Sequence, residues 1–249
     1  GGLNYKTHSK GILVIEKKLA AQIHNKGHTG IPQEKGNLFL TPEEALYCNE
    51  RGDLKLESKE IAKFSEKNLS YVVYKDLKER GLVVKIEDYG LRLYDRQKSV
   101  KGPASAIVLI KKFEDIIDFS DIIEELGRGL ERRVQISIVD SENSAVYYVT
   151  KFVSWPKTKL KDDAKSSVDD VSMKELIDKG YQINSGLKFG THYRVYNYES
   201  KHAPWLIQKI DDGMSWLDVT RMVRVGHGVN KTIVLAYKGY WISFDWIKP

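Results

Sequence analysis

Three side chains suited to proton transfer and charge stabilisation lie close together in the C-terminal part of the chain. They are Tyr196, His202 and Lys231, each at the end of an apolar run that reads as a β-strand. A histidine titrates near neutral pH and suits a general acid, whereas a lysine supplies a compact positive charge. A tyrosine, with a free pKa of about 10, is a weak base unless a nearby cation favours its ionised form. Together these groups suffice for acid–base catalysis without a metal ion.

The sequence around this set resembles the motifs of the tRNA-splicing endonuclease family. In that family a KFG-x-x-(F/Y)-x-V-Y segment carries a tyrosine, an H-A-x-(Y/W)-L-(I/V) segment a histidine, and a V-x-K-T strand start a lysine. Here residues 188–196 read KFGTHYRVY, residues 202–207 read HAPWLI, and residues 229–232 read VNKT. The three motifs occur in the family's order. The resemblance is strong over 171–249 and weaker over the first half of the chain.

The resemblance implies an endoribonuclease that removes introns from pre-tRNA. It would cut both intron junctions in a bulge–helix–bulge fold, without a metal or other cofactor, and leave 2′,3′-cyclic phosphate and 5′-hydroxyl ends. Tyr196 would take the proton of the 2′-hydroxyl, Lys231 would stabilise the charged phosphorus centre, and His202 would protonate the leaving 5′-oxygen. Archaeal members with two repeats per chain have a degenerate first repeat and work as homodimers, which is the assembly we expect here.

The chain also contains an internal duplication. Residues 107–137 and 205–236 each begin with an apolar strand, pass an acidic turn, enter a short amphipathic helix and end in a second strand. The similarity extends upstream, because 69–95 and 171–197 both read as helix, turn, strand, turn, strand. The two copies are offset by about 99 residues, which suits two related domains rather than a solenoid.

The two helices of this duplication have similar start and stop signals. Asp118 with Asp121, and Ser215 with Asp218, have the spacing of capping boxes. A Gly-x-Gly sequence follows each helix and predicts a left-handed cap. Its glycines are Gly127 and Gly129 in the first copy, and Gly226 and Gly228 in the second.

We therefore predict a mixed α/β fold with two tandem repeats, each a small mixed sheet flanked by helices. The C-terminal repeat is expected to be restriction-endonuclease-like. The predicted boundaries are an N-terminal half over 1–154, which includes a degenerate repeat at about 69–150, then a linker over 155–170 and a catalytic repeat over 171–249.

The first repeat serves as an internal control for the proposed chemistry. Tyr94 matches Tyr196, but Ser105 stands roughly opposite His202 and Arg132 stands opposite Lys231. Since the set lacks its histidine there, we predict one active site per chain and a packing role for Tyr94.

Substrate recognition in the family uses two arginines that sandwich an extruded base of the bulge. Arg224, seven residues before Lys231, matches the first of these, and Trp246 stands at the place of the second. An indole can stack on a base, so we predict that Trp246 contributes to binding in place of the arginine. For Arg224, a plain surface charge on a helix end is the alternative reading.

Two further segments bear on assembly. The hairpin loop 140–143 carries Asp140 and Glu142. In the family an acidic loop of the inactive repeat docks into a basic pocket of the partner, although a solvated hairpin tip is the alternative reading. The runs 145–153 and 240–247, AVYYVTKFV and YWISFDWI, are candidates for the antiparallel pairing that such dimers use.

Composition narrows the setting of the protein. The formal charge of +6 weakly favours binding to polyanions such as RNA. Cys48 is the single cysteine, which excludes an intrachain disulfide and indicates a reducing compartment. No apolar run is long enough to span a bilayer, so we predict a cytoplasmic protein without membrane partners.

Two other functions stay open at this point. A non-catalytic structural or RNA-binding subunit would need another chain for activity, but would have no need of all three reactive residues. A metal-dependent nuclease would need clustered acids near a lysine, and Asp211 and Asp212 are poorly placed for this. His24 and His28 have a metal-binding spacing, but the glycines around them argue against one continuous helix.

Overall fold

The computed structural model describes residues 3–95, 100–159, 166 and 168–249. The first 65 or so of the described residues form a unit with its own four-stranded sheet, in the strand order β1-β2-β4-β3. The elements of this unit are β1 (Tyr5–His8), β2 (Gly11–Val14), α1 (Lys17–Asn25), β3 (Ile31–Pro32), β4 (Leu38–Leu40), α2 (Pro42–Glu50) and α3 (Ser58–Ser65).

This N-terminal unit has a separate hydrophobic core, which includes Ile12, Leu40 and Phe64. Helix α2 begins where its sequence demands, because Thr41 and Glu44 form a reciprocal capping box across the first turn. The predicted N-terminal half, 1–154, combines this unit with the degenerate repeat at about 69–150.

The rest of the chain forms one ten-stranded sheet with helices packed on it. The first repeat consists of α4 (Leu69–Glu79), β5 (Val83–Glu87), β6 (Gly90–Tyr94), β7 (Ala106–Lys112), α5 (Ser120–Gly127), β8 (Arg133–Val139) and β9 (Ala145–Phe152). The second consists of α6 (Lys174–Asp178), β10 (Gln182–Ser185), β11 (Tyr193–Tyr196), β12 (Trp205–Lys209), α7 (Trp216–Gly228), β13 (Thr232–Tyr237) and β14 (Tyr240–Ile247).

The strand order is β10-β11-β12-β13-β14-β9-β8-β7-β6-β5, so the second repeat runs outward from the centre in the same way as the first. In each repeat one parallel pair, β7 with β8 or β12 with β13, is joined by a crossover helix, and the other pairs are antiparallel. The predicted mixed α/β fold with two tandem repeats is confirmed.

The two repeats meet through β9 and β14. These strands pair antiparallel within the chain, with Phe152 opposite Ile242 and Trp246 opposite Tyr148. We expected this pairing between the two chains of a dimer, and the structure instead forms it inside one chain. The shared edge is therefore closed, and the open edges of the large sheet are β5 and β10.

Both crossover helices pack on the same hydrophobic core, which spans the junction between the repeats. Phe119 before α5 lies in the centre of it, with ring centroids 5.5 Å from Trp216 and 5.9 Å from Phe244. The start of α7 also touches the turn that follows β7, since Trp216 N donates to Asp115 O at 3.1 Å. The two repeats are thus joined by side chains as well as by the sheet.

The predicted helix signals are confirmed in one repeat and in part wrong in the other. Ser215 and Asp218 form a capping box at the start of α7. Helix α5 has no such box, because Asp118 lies one residue too early and accepts a hydrogen bond from Ser120 N at 2.8 Å.

The glycines after the helices also differ. Gly129 is left-handed, with φ of 63°, as predicted. In the second repeat the left-handed residue is Asn230, with φ of 55°, and helix α7 continues through Gly228. Asparagine tolerates this conformation better than other residues with a Cβ.

The segment 155–170, predicted as a linker, lies in part outside the described residues. Its first residue, Trp155, is buried in the core of the second repeat against Tyr181, Trp205 and Trp241. Its last residue, Asp170, accepts a hydrogen bond from Lys209 Nζ at 2.8 Å. Both ends of the segment are therefore fixed to the second repeat.

Candidate active site

Tyr196, His202 and Lys231 line one cleft of about 380 Å³ in the second repeat. Tyr196 is the last residue of β11, and His202 lies in the bend that leads from β11 to β12. Lys231 directly precedes β13, whose first residue donates from Thr232 N to Pro204 O at 3.0 Å. The parallel pairing of β12 and β13 thus brings the lysine beside the segment that carries the histidine.

Lys231 is held in place by backbone groups on both sides. Its Nζ donates to the carbonyl oxygen of Ala203, the residue after His202. Its own N–H donates to Gly226 O near the end of α7, at 2.8 Å. A Cβ at Gly226 would lie 2.9 Å from Lys231 O and 2.8 Å from an Ile233 side-chain carbon. The close approach of helix and strand therefore requires glycine there.

The pKa of Lys231 is lowered from its ordinary value. Burial is the largest cause, followed by the charges of Lys188 and Arg194 in the same cleft. The ammonium group lies 5.5 Å from the centre of the Phe189 ring, a cation–π contact that favours the charged form in this setting. An anion that enters the cleft would therefore stabilise the charged form of Lys231.

The other two predicted residues differ in exposure. Tyr196 is partly buried, and the guanidinium of Arg194 lies 5.9 Å from the centre of its ring. His202 is exposed. A histidine open to solvent can exchange its proton with water between turnovers, as a general acid must.

Sequence reasoning missed several residues that border this cleft. The KFGTHYRVY segment contains three of them, Lys188, Phe189 and Arg194, but the family motif assigns a role only to its tyrosine. Asn230, the left-handed residue before Lys231, also lines it. The alternation of side chains along a strand would have identified Arg194, because it lies two residues before Tyr196 on β11 and therefore points to the same face of the sheet.

The matching region of the first repeat is built differently. Tyr94 is buried, with 1% of its surface exposed, which agrees with the packing role predicted for it. The register corrects one assignment: Arg133 N donates to Ser105 O at 3.1 Å, as Thr232 N does to Pro204 O, so Ser105 matches Pro204. The residue at the position of His202 is then Pro103 rather than Ser105.

Arg224 and Trp246 share a different cavity, of about 340 Å³, between α7 and the hairpin of β8 and β9. Its walls are largely apolar, and burial raises the pKa of Tyr148 there to about 12. The Trp246 side chain is about half exposed, and its ring centroid lies 5.4 Å from that of His227. Arg224 and Trp246 thus line the same cavity.

A small cavity of about 170 Å³ lies between these two sites. Lys231 and Asn230 border it on the cleft side, and His227 and Trp246 on the other. Asp245 on β14 also lines it, and burial raises the pKa of that carboxyl group. The region where Arg224 and Trp246 lie is therefore adjacent to the cleft, with Lys231 at the boundary.

Asp140 and Glu142 lie at the tip of the hairpin between β8 and β9. The Asp140 carboxylate accepts hydrogen bonds from the backbone N–H groups of Glu142 and Ser144, each at 2.9 Å, which closes the loop. Asn143 supplies the left-handed turn, with φ of 58°. Glu142 is exposed at the tip, whereas Asp140 shapes the loop and borders the Arg224 cavity.

Neither candidate metal site is assembled in the described residues. His24 lies in α1 while His28 follows it in a left-handed turn, with φ of 57°. Asp211 and Asp212 lie in the exposed turn after β12. Across the described ranges, no group of three or more His, Cys, Asp and Glu side chains could hold a metal ion. In the same ranges, every helix is too short or too polar to cross a membrane.

Comparison with known proteins agrees with this arrangement. The family model for the catalytic C-terminal domain of tRNA intron endonucleases matches residues 68–148 and 171–240, the two repeats of the sheet. The family model for the N-terminal domain of the same enzymes matches residues 6–69, the unit with the separate core.

Individual relatives bear the same description. A tRNA-splicing endonuclease of Pyrococcus furiosus is 38% identical over 121 residues, which cover 44% of this chain and 68% of that protein. One from Thermoplasma volcanium is 27% identical over 246 residues, covering 82% of each chain. One from Pyrococcus abyssi is 42% identical over 83 residues, 28% of this chain and 49% of the other. The chain belongs to the tRNA intron endonuclease family.

Proposed function

We propose that the chain is a tRNA-splicing endonuclease that cuts pre-tRNA at both intron junctions of a bulge–helix–bulge fold. The observation that carries this proposal is the convergence of Tyr196, His202 and Lys231 on one cleft in the repeat that the family model describes as catalytic. Family membership supports the class of reaction. The cleft supports its assignment to the second repeat.

The proposed mechanism uses each residue once. Tyr196 removes the proton of the 2′-hydroxyl, which attacks the adjacent phosphorus. Lys231 stabilises the charge that develops on the phosphoryl oxygens. Burial, followed by the charges of Lys188 and Arg194, lowers its pKa in the empty cleft. His202 donates a proton to the departing 5′-oxygen. The bond from phosphorus to the 2′-oxygen forms as that to the 5′-oxygen breaks, leaving a 2′,3′-cyclic phosphate and a 5′-hydroxyl.

Arg224 and Trp246 are proposed to bind an extruded base of the bulge. Their cavity is largely apolar, and the small cavity bordered by Lys231 and Trp246 lies between it and the cleft, so a nucleotide next to the scissile phosphate could reach it. Stacking on an aromatic ring contributes about 1–3 kcal/mol per base and tolerates any base.

The test of the proposed chemistry is cleavage of an intron-containing pre-tRNA in EDTA, with analysis of the new ends. We expect cuts at both junctions, 3′ fragments that a polynucleotide kinase can label directly, and no cut at a junction that carries a 2′-deoxynucleotide. Cleavage that EDTA abolishes, or that proceeds on the 2′-deoxy substrate, would contradict it. No cleavage by folded protein would favour a structural subunit that needs another chain.

We also propose that the working particle is a homodimer in which the acidic hairpin tip contacts the partner. The exposed Glu142 and the turn held by Asp140 support this role, because a rigid charged loop can dock with little loss of entropy. Light scattering should give a dimer for the wild type, and Glu142→Arg should shift it toward monomer. If Glu142→Arg has the same dimeric mass as the wild type, the docking role of the hairpin tip is contradicted.

A further inference from the structure

The proposed active cleft carries more positive charge than its chemistry requires. Lys188, Arg194 and Lys231 all border it, and the described residues that line it include no carboxylate. One lysine suffices to stabilise one phosphoryl centre in the mechanism above. The other two cations need a different explanation.

Aromatic rings and a backbone carbonyl fix the positions of these two extra cations. The Nε atom of Arg194 donates to Ser185 O at 2.7 Å, while its guanidinium lies over the Tyr196 ring. The ammonium group of Lys188 lies 4.9 Å from the centre of the Phe189 ring, and that of Lys231 lies 5.5 Å from the same centre. The rings therefore keep three like charges around one cleft.

Such a cluster is unfavourable while the cleft is empty. Lys188 and Arg194 both contribute to the lowered pKa of Lys231, so their charges act on it directly. Like charges that repel in the free protein are relieved when an anion binds among them. The arrangement therefore favours a ligand with more than one negative charge.

The first repeat shows what the same cations look like when they serve structure. Arg92 lies 5.9 Å from the centre of the Tyr94 ring, the distance found for Arg194 and Tyr196. However, Arg92 is neutralised by Glu87, with Nε and a carboxylate oxygen 2.5 Å apart. The register places Gly186 at the position of Glu87, because Val83 and Gln182 pair with the two tyrosines.

The second cation of the first repeat is neutralised as well. Arg132, at the position of Lys231, pairs with the buried Glu125 at 2.7 Å. Arg224 occupies the matching position in α7. Among the described residues, no ion pair joins Lys188, Arg194 or Lys231 to a carboxylate, so both neutralising acids of the first repeat are missing from the second.

We infer that Arg194 and Lys188 bind a second phosphate of the RNA strand, the phosphodiester that adjoins the scissile one. This inference rests on the proposed function, which assigns the scissile phosphate to Lys231. An RNA strand carries one negative charge per nucleotide, and the planar fork of arginine can bind a phosphate through two hydrogen bonds. Arg194 and Lys188 are thus substrate-binding residues, and the cleft holds a dinucleotide step rather than one phosphate.

The test measures binding of an intron-containing pre-tRNA with 2′-deoxynucleotides at both junctions, which cannot be cut. Dissociation constants are measured between 50 and 200 mM KCl for wild type, Lys188→Gln and Arg194→Gln. We expect each variant to bind about tenfold more weakly and to lower the salt slope by about 0.7 to 1, the change for one lost phosphate contact. Arg92→Gln, the matched arginine of the first repeat, and Lys59→Gln, an exposed lysine of the N-terminal unit, should keep the wild-type slope.

Equal affinities and slopes for wild type, Lys188→Gln and Arg194→Gln would overturn the inference, provided that the wild type cleaves the natural substrate. Failure of the wild type to cleave would instead overturn the proposed function. Because Lys188 is exposed, its variant is expected to fold and decides the matter if Arg194→Gln does not. Arg194→Lys, which keeps the charge, should recover part of the slope but not the full affinity.

Discussion

The two repeats share a backbone plan and differ in what stands beside each cation. In the first repeat Arg92 and Arg132 pair with carboxylates, Glu87 and Glu125, and its tyrosine is buried. In the second, the equivalent cations border an open cleft together with a partly buried tyrosine. The comparison teaches that one copy of a duplicated fold can retain its cations and still lack an anion-binding cleft, because a carboxylate stands beside each cation. The cations that pair with carboxylates stabilise the fold, whereas the equivalent cations of the second repeat, which have no carboxylate partner among the described residues, can bind an anionic ligand.

A second difference lies at the hairpin tips. The hairpin of β8 and β9 turns through a five-residue loop with two acids, 140–144, while that of β13 and β14 turns tightly at Lys238 and Gly239. Each repeat therefore lacks one feature that the other has. The first has the acidic loop proposed for assembly, and the second has the cleft.

Among matched residues of the two repeats, the largest expected effect comes from the cations that precede or begin the strands after the crossover helices, Lys231 and Arg132. Lys231→Ala should lower kcat for pre-tRNA cleavage by about 10² to 10³, because one fixed charge at the developing anion is lost. Arg132→Ala should leave cleavage unchanged but lower the free energy of unfolding by about 1–3 kcal/mol, since Glu125 is left buried with one partner fewer. Single-turnover cleavage and urea denaturation of both variants check this contrast. Equal losses of activity would break the comparison.

A smaller effect is expected from the glycines at the ends of the two crossover helices. Gly226→Ala should lower kcat by about tenfold or more, because the new Cβ would push against Lys231 O and Ile233 and shift the lysine. Gly127, its counterpart, has open space around its Cβ position, so Gly127→Ala should stabilise the protein by about 0.5 kcal/mol without changing kcat. Thermal melts and cleavage rates distinguish the two. Wild-type kcat in Gly226→Ala would refute the role assigned to close packing.

The aromatic residues near the ends of β9 and β14 sharpen the comparison further. Trp246→Ala should raise KM by about tenfold, with a smaller change in kcat, because a stacking surface for a base is lost. Phe152, its counterpart, stacks on Tyr240 at 5.8 Å between ring centroids and lies in the first repeat. Phe152→Ala should leave KM unchanged. The pair is compared by steady-state kinetics on one pre-tRNA, and a KM increase for Phe152→Ala alone would reverse the assignment.

The smallest expected effect is a shift in the pH profile. Lys231 must be protonated to stabilise the anion, and its lowered pKa means that activity is lost as pH rises through a lower value than for an ordinary lysine. Lys188→Gln removes one repelling charge from the empty cleft, so the alkaline limb of kcat/KM should move to higher pH. Lys59→Gln serves as the control for loss of a distant charge. Profiles of kcat/KM between pH 7 and 10, at RNA concentrations well below KM, report the free protein and measure this shift, and a shift to lower pH would contradict the cause assigned here.

The sequence predicted the fold more fully than the site. Periodicity and the duplicated glycines identified both repeats, and the capping box of α7 was correct because its polar contacts are local. The partner of β14 was misjudged because strand pairing depends on distant segments: YWISFDWI suits β9 of its own chain as well as that of another.

The motifs likewise led to Tyr196, His202 and Lys231 but not to the charge around them. Whether Arg194 is neutralised depends on Gly186 across a strand pair, and this relation appears only once the register is known. The histidine position of the first repeat was misplaced by two residues because the repeats differ in the distance along the chain from the tyrosine to the next strand. Ala106 follows Tyr94 by 12 residues, whereas Trp205 follows Tyr196 by 9.

The claim that the second repeat holds the one active site of the chain is tested most directly by His202→Ala. Wild type and variant are compared in single-turnover cleavage of an intron-containing pre-tRNA in EDTA. We predict cuts at both junctions by the wild type and a rate about 10² to 10⁴ lower for the variant, with unchanged RNA binding. A variant that cleaves at the wild-type rate would show that the chemistry resides elsewhere, and the account of the two repeats would be wrong.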